Sequence, residues 1–407
     1  MTLPPVLKPR IRSVRAVIGV VAGLLVFAAM LVLPPPAGLD VAAWRVAALG
    51  VLMAVWWLTE AAPVAVTALL PIGLLPALGG ASLDAAARPY ANPLIFLFLG
   101  GFVIALAMER WTLHKRIALH ILSAAGDRQD RIVGGFMVAT AVLSMWVSNT
   151  ATALIMLPVA LSVIDLMPKA ESDGERRQFA LALLLGVAYS ASIGGLATLI
   201  GTPPNALMAG FMLETHGVTI GFAEWMAVGL PVSLVMLAIA WWLLSRWLFR
   251  VRRQPLEGLH EVLKRESDGL GPLSPGERAT AVVFTITALA WVFRPVLGDL
   301  LPTLPLSDPG IAIAAAVVLF VIPVKDGGAD RGGDAGWTFV MTWDWARRLP
   351  WNVLILFGGG LSLAAAISAP GLAGYIGARL TGLDGLPAVL IILAVTATME
   401  KAVGRDR

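Results

Sequence analysis

Ser144-Met-Trp-Val-Ser148-Asn149-Thr150-Ala-Thr152-Ala-Leu-Ile-Met-Leu-Pro158 decides how the chain is read. The polar triplet Ser148-Asn149-Thr150 stands between two apolar arms, residues 132–147 and 151–167. Each arm is shorter than the about 20 residues a helix needs to cross ~30 Å of hydrocarbon. Both arms end in basic sequence: Arg128 and Arg131 before the first, Lys169, Arg176 and Arg177 after the second. Short apolar arms with polar ends on one side describe a re-entrant helical hairpin, residues 132–167, with the triplet at its tip. Backbone that leaves helix geometry at membrane depth persists only against protein or a water-filled cavity. There its free carbonyls, with Ser, Asn and Thr side chains, can bind ions. A structural reading stays open: buried hydroxyls bond a carbonyl one turn back, and Asn joins helices.

The composition sets the class. Of 407 residues, 58% are hydrophobic and only 14% charged, against about 25% charged in soluble domains; mean hydropathy is +0.82. These values describe an all-α polytopic membrane protein. With no Cys in the sequence, disulfides, thiol catalysis and cysteine-ligated metals are excluded. The net charge of +4 lies in loops beside apolar runs and reports topology, not nucleic-acid binding. Lys8, Arg10, Arg12 and Arg15 precede the first apolar run, and Pro34-Pro35-Pro36 follow it where a signal peptide would have a small-residue cleavage site. The expectation is an uncleaved first helix with a cytoplasmic N-terminus, in a multi-pass protein of the inner (plasma) membrane.

Further helices are expected at 41–58, at 63–78 (bent by Pro71 and Pro76), and at 93–108, with an interfacial helix at 114–124. After the hairpin, residues 178–197 form an apolar helix that stops at Thr198-Leu-Ile-Gly201-Thr202-Pro203-Pro204-Asn205 and resumes toward Phe211. Pro203 and Pro204 remove two backbone donors and disfavour helix at the residue before each. The spacing predicts a broken helix, 178–213; a simple proline kink is the plainer alternative. Helices at 225–249, 278–297, 309–324 and 351–367 follow. Residues 254–277 read as a polar linker between two halves, and the Gly-rich 325–336 as a flexible cytoplasmic loop.

An internal repeat organises these elements. Phe98-Leu-Gly-Gly-Phe-Val-Ile-Ala-Leu-Ala-Met108 resembles Phe357-Gly-Gly-Gly-Leu-Ser-Leu-Ala-Ala-Ala-Ile367, and Leu113 and Leu372 keep the same spacing. The helix count and the basic loops run the two copies in opposite directions. Inverted repeats with broken helices are the architecture of secondary transporters. Ser148 shifted by the same spacing falls on Arg407. The expectation is therefore a second repeat that is incomplete: 386–398 reads as the start of a second hairpin, and the charged Lys401–Arg407 do not suit a tip. Such a chain is expected to be inactive alone.

Several stretches, in order along the chain, resemble the divalent-anion:sodium symporter family. They are Trp57-Leu-Thr-Glu-Ala-Ala-Pro63 with Thr67-Ala-Leu-Leu-Pro71, Phe96-Leu-Phe-Leu-Gly-Gly-Phe102, Leu113-His-Lys-Arg-Ile-Ala-Leu119, Ser148-Asn-Thr150, Gly201-Thr-Pro-Pro-Asn205, and Leu349-Pro-Trp351 through Gly358-Gly-Gly360. The family pattern has Gly where Ala197 stands. The resemblance implies sodium-coupled symport of small dicarboxylates such as succinate, malate or fumarate. It implies scaffold helices in 1–92, transport elements in 93–224, a linker with further scaffold helices in 225–350, and the start of a second transport repeat in 351–407. It implies a Na⁺ ion held by Ser144, Ser148 and Asn149 with carbonyls of the Gly194–Gly201 stretch. It implies a carboxylate met by Asn149, Thr150, Thr202 and Pro203, and a homodimer in the lipid bilayer. A related carrier for sulfate or arsenite, or a Na⁺/H⁺ exchanger, is the alternative. An enzyme is not expected: His114, His120, His216 and His260 are scattered, and no HExxH, nucleophile elbow or phosphate loop occurs.

Overall fold

The computed structural model describes residues 14–167, 173–300, 302–303, 305–326, 336–368 and 371–380. Val14–Val32 (α1) and Val41–Thr59 (α2) open the chain, joined through the three prolines. The expected bent third helix is two pieces, Val64–Thr67 (α3) and Leu70–Ala77 (α4). Pro71 sits at the start of α4, where a missing N–H costs nothing. Leu83–Ala87 (α5) and a 3₁₀ turn lead to Pro93–Arg110 (α6) and Leu113–Ala124 (α7). The hairpin arms are Gln129–Ser144 (α8) and Asn149–Ile164 (α9). The broken helix is Asp173–Gly195 (α10) and Pro203–His216 (α11). Phe222–Trp242 (α12) ends in a π-helical segment, Leu243–Leu248.

The remaining elements carry most of the corrections. The expected linker 254–277 contains an amphipathic helix, Leu259–Asp268 (α13), which buries Leu259 and Leu263. The next helix is Pro275–Val292 (α14), followed across a 75° bend by Arg294–Leu300 (α15). Pro295 explains the bend: it has no N–H to give to Trp291 O and its ring crowds that carbonyl, so α14 cannot run on through it. Asp308–Val321 (α16) stops two residues before Pro323. The ends of the Gly-rich loop are paired strands, Pro323–Asp326 (β1) and Gly336–Phe339 (β2), antiparallel with Val324 opposite Thr338. Trp343–Ala346 (α17), Trp351–Ser368 (α18) and Leu372–Leu380 (α19) complete the order. The second-hairpin expectation at 386–398 and the tail 401–407 lie outside the described residues.

Among the described residues, six helices are long and apolar enough to cross a membrane, and a seventh if α14 and α15 count as one span; α3–α4, α9 and α16 are shorter apolar pieces. Along α12, Val228, Val232, Val235 and Ile239 are exposed, an apolar stripe too large for water and suited to lipid. The proposed repeat leaves a visible trace in length. Both α6 and α18 are 18 residues, and each precedes a shorter helix that begins at the repeat-related residue, Leu113 or Leu372.

The chain divides into two compact units: 1–92 with 214–217 and 351–407, and 93–213 with 218–350. In the first, α2 buries Ala43, Val46, Leu49 and Met53 against Leu75, Ala86 and Ala366. Close approach here needs glycine. A Cβ on Gly359 would lie 2.7 Å from the Ala68 Cα. Tyr90 donates its hydroxyl to the Ala68 carbonyl, and Ser362 Oγ donates to Ala86 O at 2.8 Å.

In the second unit, α8, α9 and α10 share one apolar core with α7, α12 and α13. Each hairpin arm is 16 residues, about 24 Å at 1.5 Å per residue, too short to span. The arms do return to one side. Gln129 N–H donates to Gln254 O at 3.1 Å, Leu256 N–H donates to Asp127 O at 2.8 Å, and Leu166 packs over Gly258. The outer ends of both arms thus meet the same short segment. The α13 helix following it is strapped to α7 by Lys115–Glu266 at 2.8 Å. Asp130, buried at the start of α8, pairs with Arg128 at 3.1 Å and with Arg246 of the π segment at 2.9 Å.

Candidate functional site

The hairpin turns slightly earlier than the sequence suggests. Residues 145–147 link the arms, and Ser148 is the N-cap of α9, its side chain accepting from the Ala151 N–H. Serine at this position satisfies a donor that the first helical turn leaves free. Asn149 and Thr150 therefore occupy the first turn of α9. The break in the second element, residues 196–202, faces this tip. Thr198 Oγ1 donates to Met145 O at 2.5 Å and accepts from Gly201 N–H at 3.0 Å. Gly195 lies under Asn149: a Cβ there would come within 2.6 Å of Asn149 Oδ1.

Ser144 sits at the centre. It is fully buried, with its Oγ 2.7 Å from Asn149 Oδ1 and 2.6 Å from Ala191 O. A hydroxyl has one proton to give. Two oxygen neighbours at these distances leave one contact without a hydrogen, with lone pairs facing each other. A small hard cation relieves that repulsion, and so would turning the Asn149 amide to present its NH₂.

Burial grades along the tip. Ser144 is buried, Asn149 half-buried, Ser148 and Thr150 exposed, while across the break Gly194 and Gly201 are buried and Thr202 and Pro203 half-buried. Gly194 backs directly onto the Ala141 backbone, and Gly201 onto that of Gly195. The structure thus brings Ser144, Asn149 and the Gly194–Gly201 stretch together. Two helix N-termini, of α9 and α11, open beside them, each carrying partial positive charge. Their donors differ. Pro203 and Pro204 give α11 no N–H at its first two positions, so it offers its dipole and the Thr202 hydroxyl. Neither 144–150 nor 194–205 contains a charged or histidine side chain.

Residues 15–402 match the family described as the sodium:sulfate symporter transmembrane region. The chain belongs to this family. Among its similar relatives are the sodium-dependent dicarboxylate transporters SdcS of Staphylococcus aureus strains USA300, MSSA476 and MW2. Each is 40% identical over 386 residues, which is 94% of this chain and 73% of the relative.

Other residues of this symporter-family chain hold the break and carried no role in the sequence reading. Asn205 Nδ2 donates to both Gly195 O and Thr198 O at 2.8 Å. Trp225 Nε1 donates to Leu196 O at 3.0 Å, and Ser233 Oγ to Ile193 O at 2.8 Å. Unwound carbonyls must find partners when buried, and these three side chains supply them. A signal existed for Asn205 alone, two residues after the Pro pair that opens α11.

Proposed function

We propose that this chain is a sodium-coupled symporter of small dicarboxylates of the succinate, malate and fumarate class, working by alternating access and not as an enzyme. The observation that carries the reading is the Ser144, Asn149 and Ala191 oxygen cluster, buried beneath two helix N-termini in a site without charged side chains. Na⁺ would be held by Ser144, Ser148 and Asn149 with carbonyls of Gly194 and Gly201. A substrate carboxylate would sit outward of it, against Asn149, Thr150, Thr202 and Pro203. Sodium then supplies the positive charge that an anion site otherwise draws from Lys or Arg. The name of the 40% identical relatives supports a dicarboxylate substrate. Their family's description favours one second reading, sulfate. Proton exchange is disfavoured, since the site motifs lack a titratable side chain.

The proposal extends to organisation. Residues 1–92 and the helices of 225–350 would serve as scaffold. Residues 93–224, and 351–407 as their repeat, would supply transport elements. The N-terminus would be cytoplasmic in the inner membrane, and the unit of assembly a homodimer. Uptake of labelled succinate, citrate and sulfate into proteoliposomes, with and without a sodium gradient, tests the reading. Sodium-driven succinate uptake is what the symporter reading expects, and it would set aside the expectation that the chain is inactive alone; sodium-driven uptake of sulfate alone, or succinate uptake indifferent to sodium, overturns the reading.

A further inference from the structure

The hairpin tip has a second anchor besides Thr198. The indole of Trp146 stacks on Phe222, with centroids 6.0 Å apart and planes at 22°, and on Trp291 at 6.5 Å and 6°. Phe284 meets it edge-on at 4.9 Å and 90°. Phe222 and Trp291 in turn stack on each other at 4.6 Å. Phe222 opens α12, whereas Phe284 and Trp291 lie two turns apart on α14. Offset-stacked and edge-on pairs are the favourable aromatic arrangements, and this cage holds both.

Asp308 sets the two stacked rings. The Phe222 N–H donates to its Oδ2 at 2.8 Å, and Trp291 Nε1 donates to its carbonyl at 3.0 Å. Arg294 Nε lies 2.8 Å from Asp308 Oδ1, an ion pair off the line of a hydrogen bond, and Arg294 also reaches Glu224 at 3.4 Å. Gly221, just before Phe222, makes room: a Cβ there would lie 2.6 Å from Arg294 Nη2.

We propose that Trp146 is a positioning residue for the cation pocket, seated in this cage so that Ser144 and Asn149 meet across the tip. Residues 145–147 belong to neither helical arm; beyond the Thr198 bond to Met145 O, their backbone is tied only to the last turn of α8, through Ala141 and Leu143. The Ser144–Asn149 contact spans this link. Holding the one aromatic side chain within it against three other rings fixes the path of the backbone on both sides. The effect on transport rests on the sodium reading proposed above; the seating of the tip does not.

The Cys-free sequence allows one reporter, Val147→Cys, at a position only 5% exposed. Its alkylation by a maleimide is expected to be slow with Trp146 or Trp146→Phe and to accelerate in Trp146→Leu. In uptake without the reporter, Trp146→Leu should raise the sodium concentration for half-maximal rate by about threefold to tenfold, the scale of one or two aromatic pairs. The maximal rate should change less, and Trp146→Phe should restore the sodium response. Phe284→Leu removes the edge-on partner without altering the tip sequence, and it should move both readouts the same way by less. Unchanged alkylation in both leucine variants, or faster alkylation with an unchanged sodium response, overturns the proposal. A parent protein indifferent to sodium would retire the sodium reading instead, and the alkylation contrast would still decide the seat.

Discussion

Ser144 Oγ and Asn149 Oδ1 lie 2.7 Å apart although the helix that carries Ser144 ends there and the helix that carries Asn149 begins five residues later. A continuous helix would set residues five apart well round its circumference. The turn at 145–148 folds them together, and Ala191 of the neighbouring helix supplies the third oxygen.

Ser144→Ala should therefore weaken sodium more than substrate. Losing one such oxygen is worth ~0.5–1.5 kcal/mol, or about threefold to tenfold in the sodium concentration for half-maximal uptake. Sodium titrations at fixed succinate measure it; a change confined to the succinate response contradicts the assignment.

Asn149→Ala removes a side chain proposed to meet both ligands. Sodium-coupled uptake should disappear while the amount of protein in the membrane stays the same. Uptake with an unaltered sodium response would exclude Asn149 from the site.

Gly195→Ala tests the same pocket from below. Its new methyl group would meet Asn149 Oδ1 at 2.6 Å, so Asn149 must move. Gly298→Ala adds a methyl with nothing within 4 Å. Uptake should fall at least tenfold, ~1.4 kcal/mol, in the first and be kept in the second. Equal uptake in the two variants contradicts the geometry.

Asn205→Ala strands the buried Gly195 O and leaves Thr198 O only the 3.4 Å bond from the Gly201 N–H, at ~1–3 kcal/mol for an unsatisfied group. A lower melting temperature of the purified protein is expected, together with weaker uptake. A variant as stable as the parent would show that water replaces the amide.

His114, on α7 outside the apolar spans, should make the protein less stable in mild acid. Burial pushes its pKa below the ordinary value, although Met108 O, 2.9 Å from Nδ1, pulls the other way. The folded state thus prefers the neutral ring. Its contribution is intact above the unfolded pKa of about 6.5 and is lost as pH falls through that value toward the lower folded one. Thermal melts at pH 7.5 and 5.5, repeated for His114→Gln, should show a drop in the parent that the variant lessens.

Much of this was legible because the membrane simplifies the code. Apolar runs flanked by Arg or Lys located α1, α6, α12 and α18 closely, and the run between Asp40 and Glu60 located α2. The short arms around Ser148-Asn149-Thr150 and the Pro203-Pro204 pair marked the two interruptions, because backbone chemistry acts within a few residues. The α13 helix within the expected linker is hard to see in sequence because its charged face dominates the composition, although Leu259 and Leu263 stand one turn apart. The β1–β2 ribbon hid behind its glycines. The Trp146 cage was beyond reach: Phe222, Phe284 and Trp291 come together only through tertiary packing. The same holds for Trp225 and Ser233, which α12 carries to Leu196 O in the break and to Ile193 O at the end of α10.

Asn205 carries a kinetic implication. An unwound stretch left to fluctuate would have to be ordered anew each time a cation arrived, at about 1–2 kcal/mol of conformational entropy per residue. By clipping Gly195 and Thr198 to one amide, the chain meets that cost during folding. On the proposed sodium reading, each arriving ion then finds a receptor already shaped, and its capture can be limited by dehydration and access instead of by loop ordering.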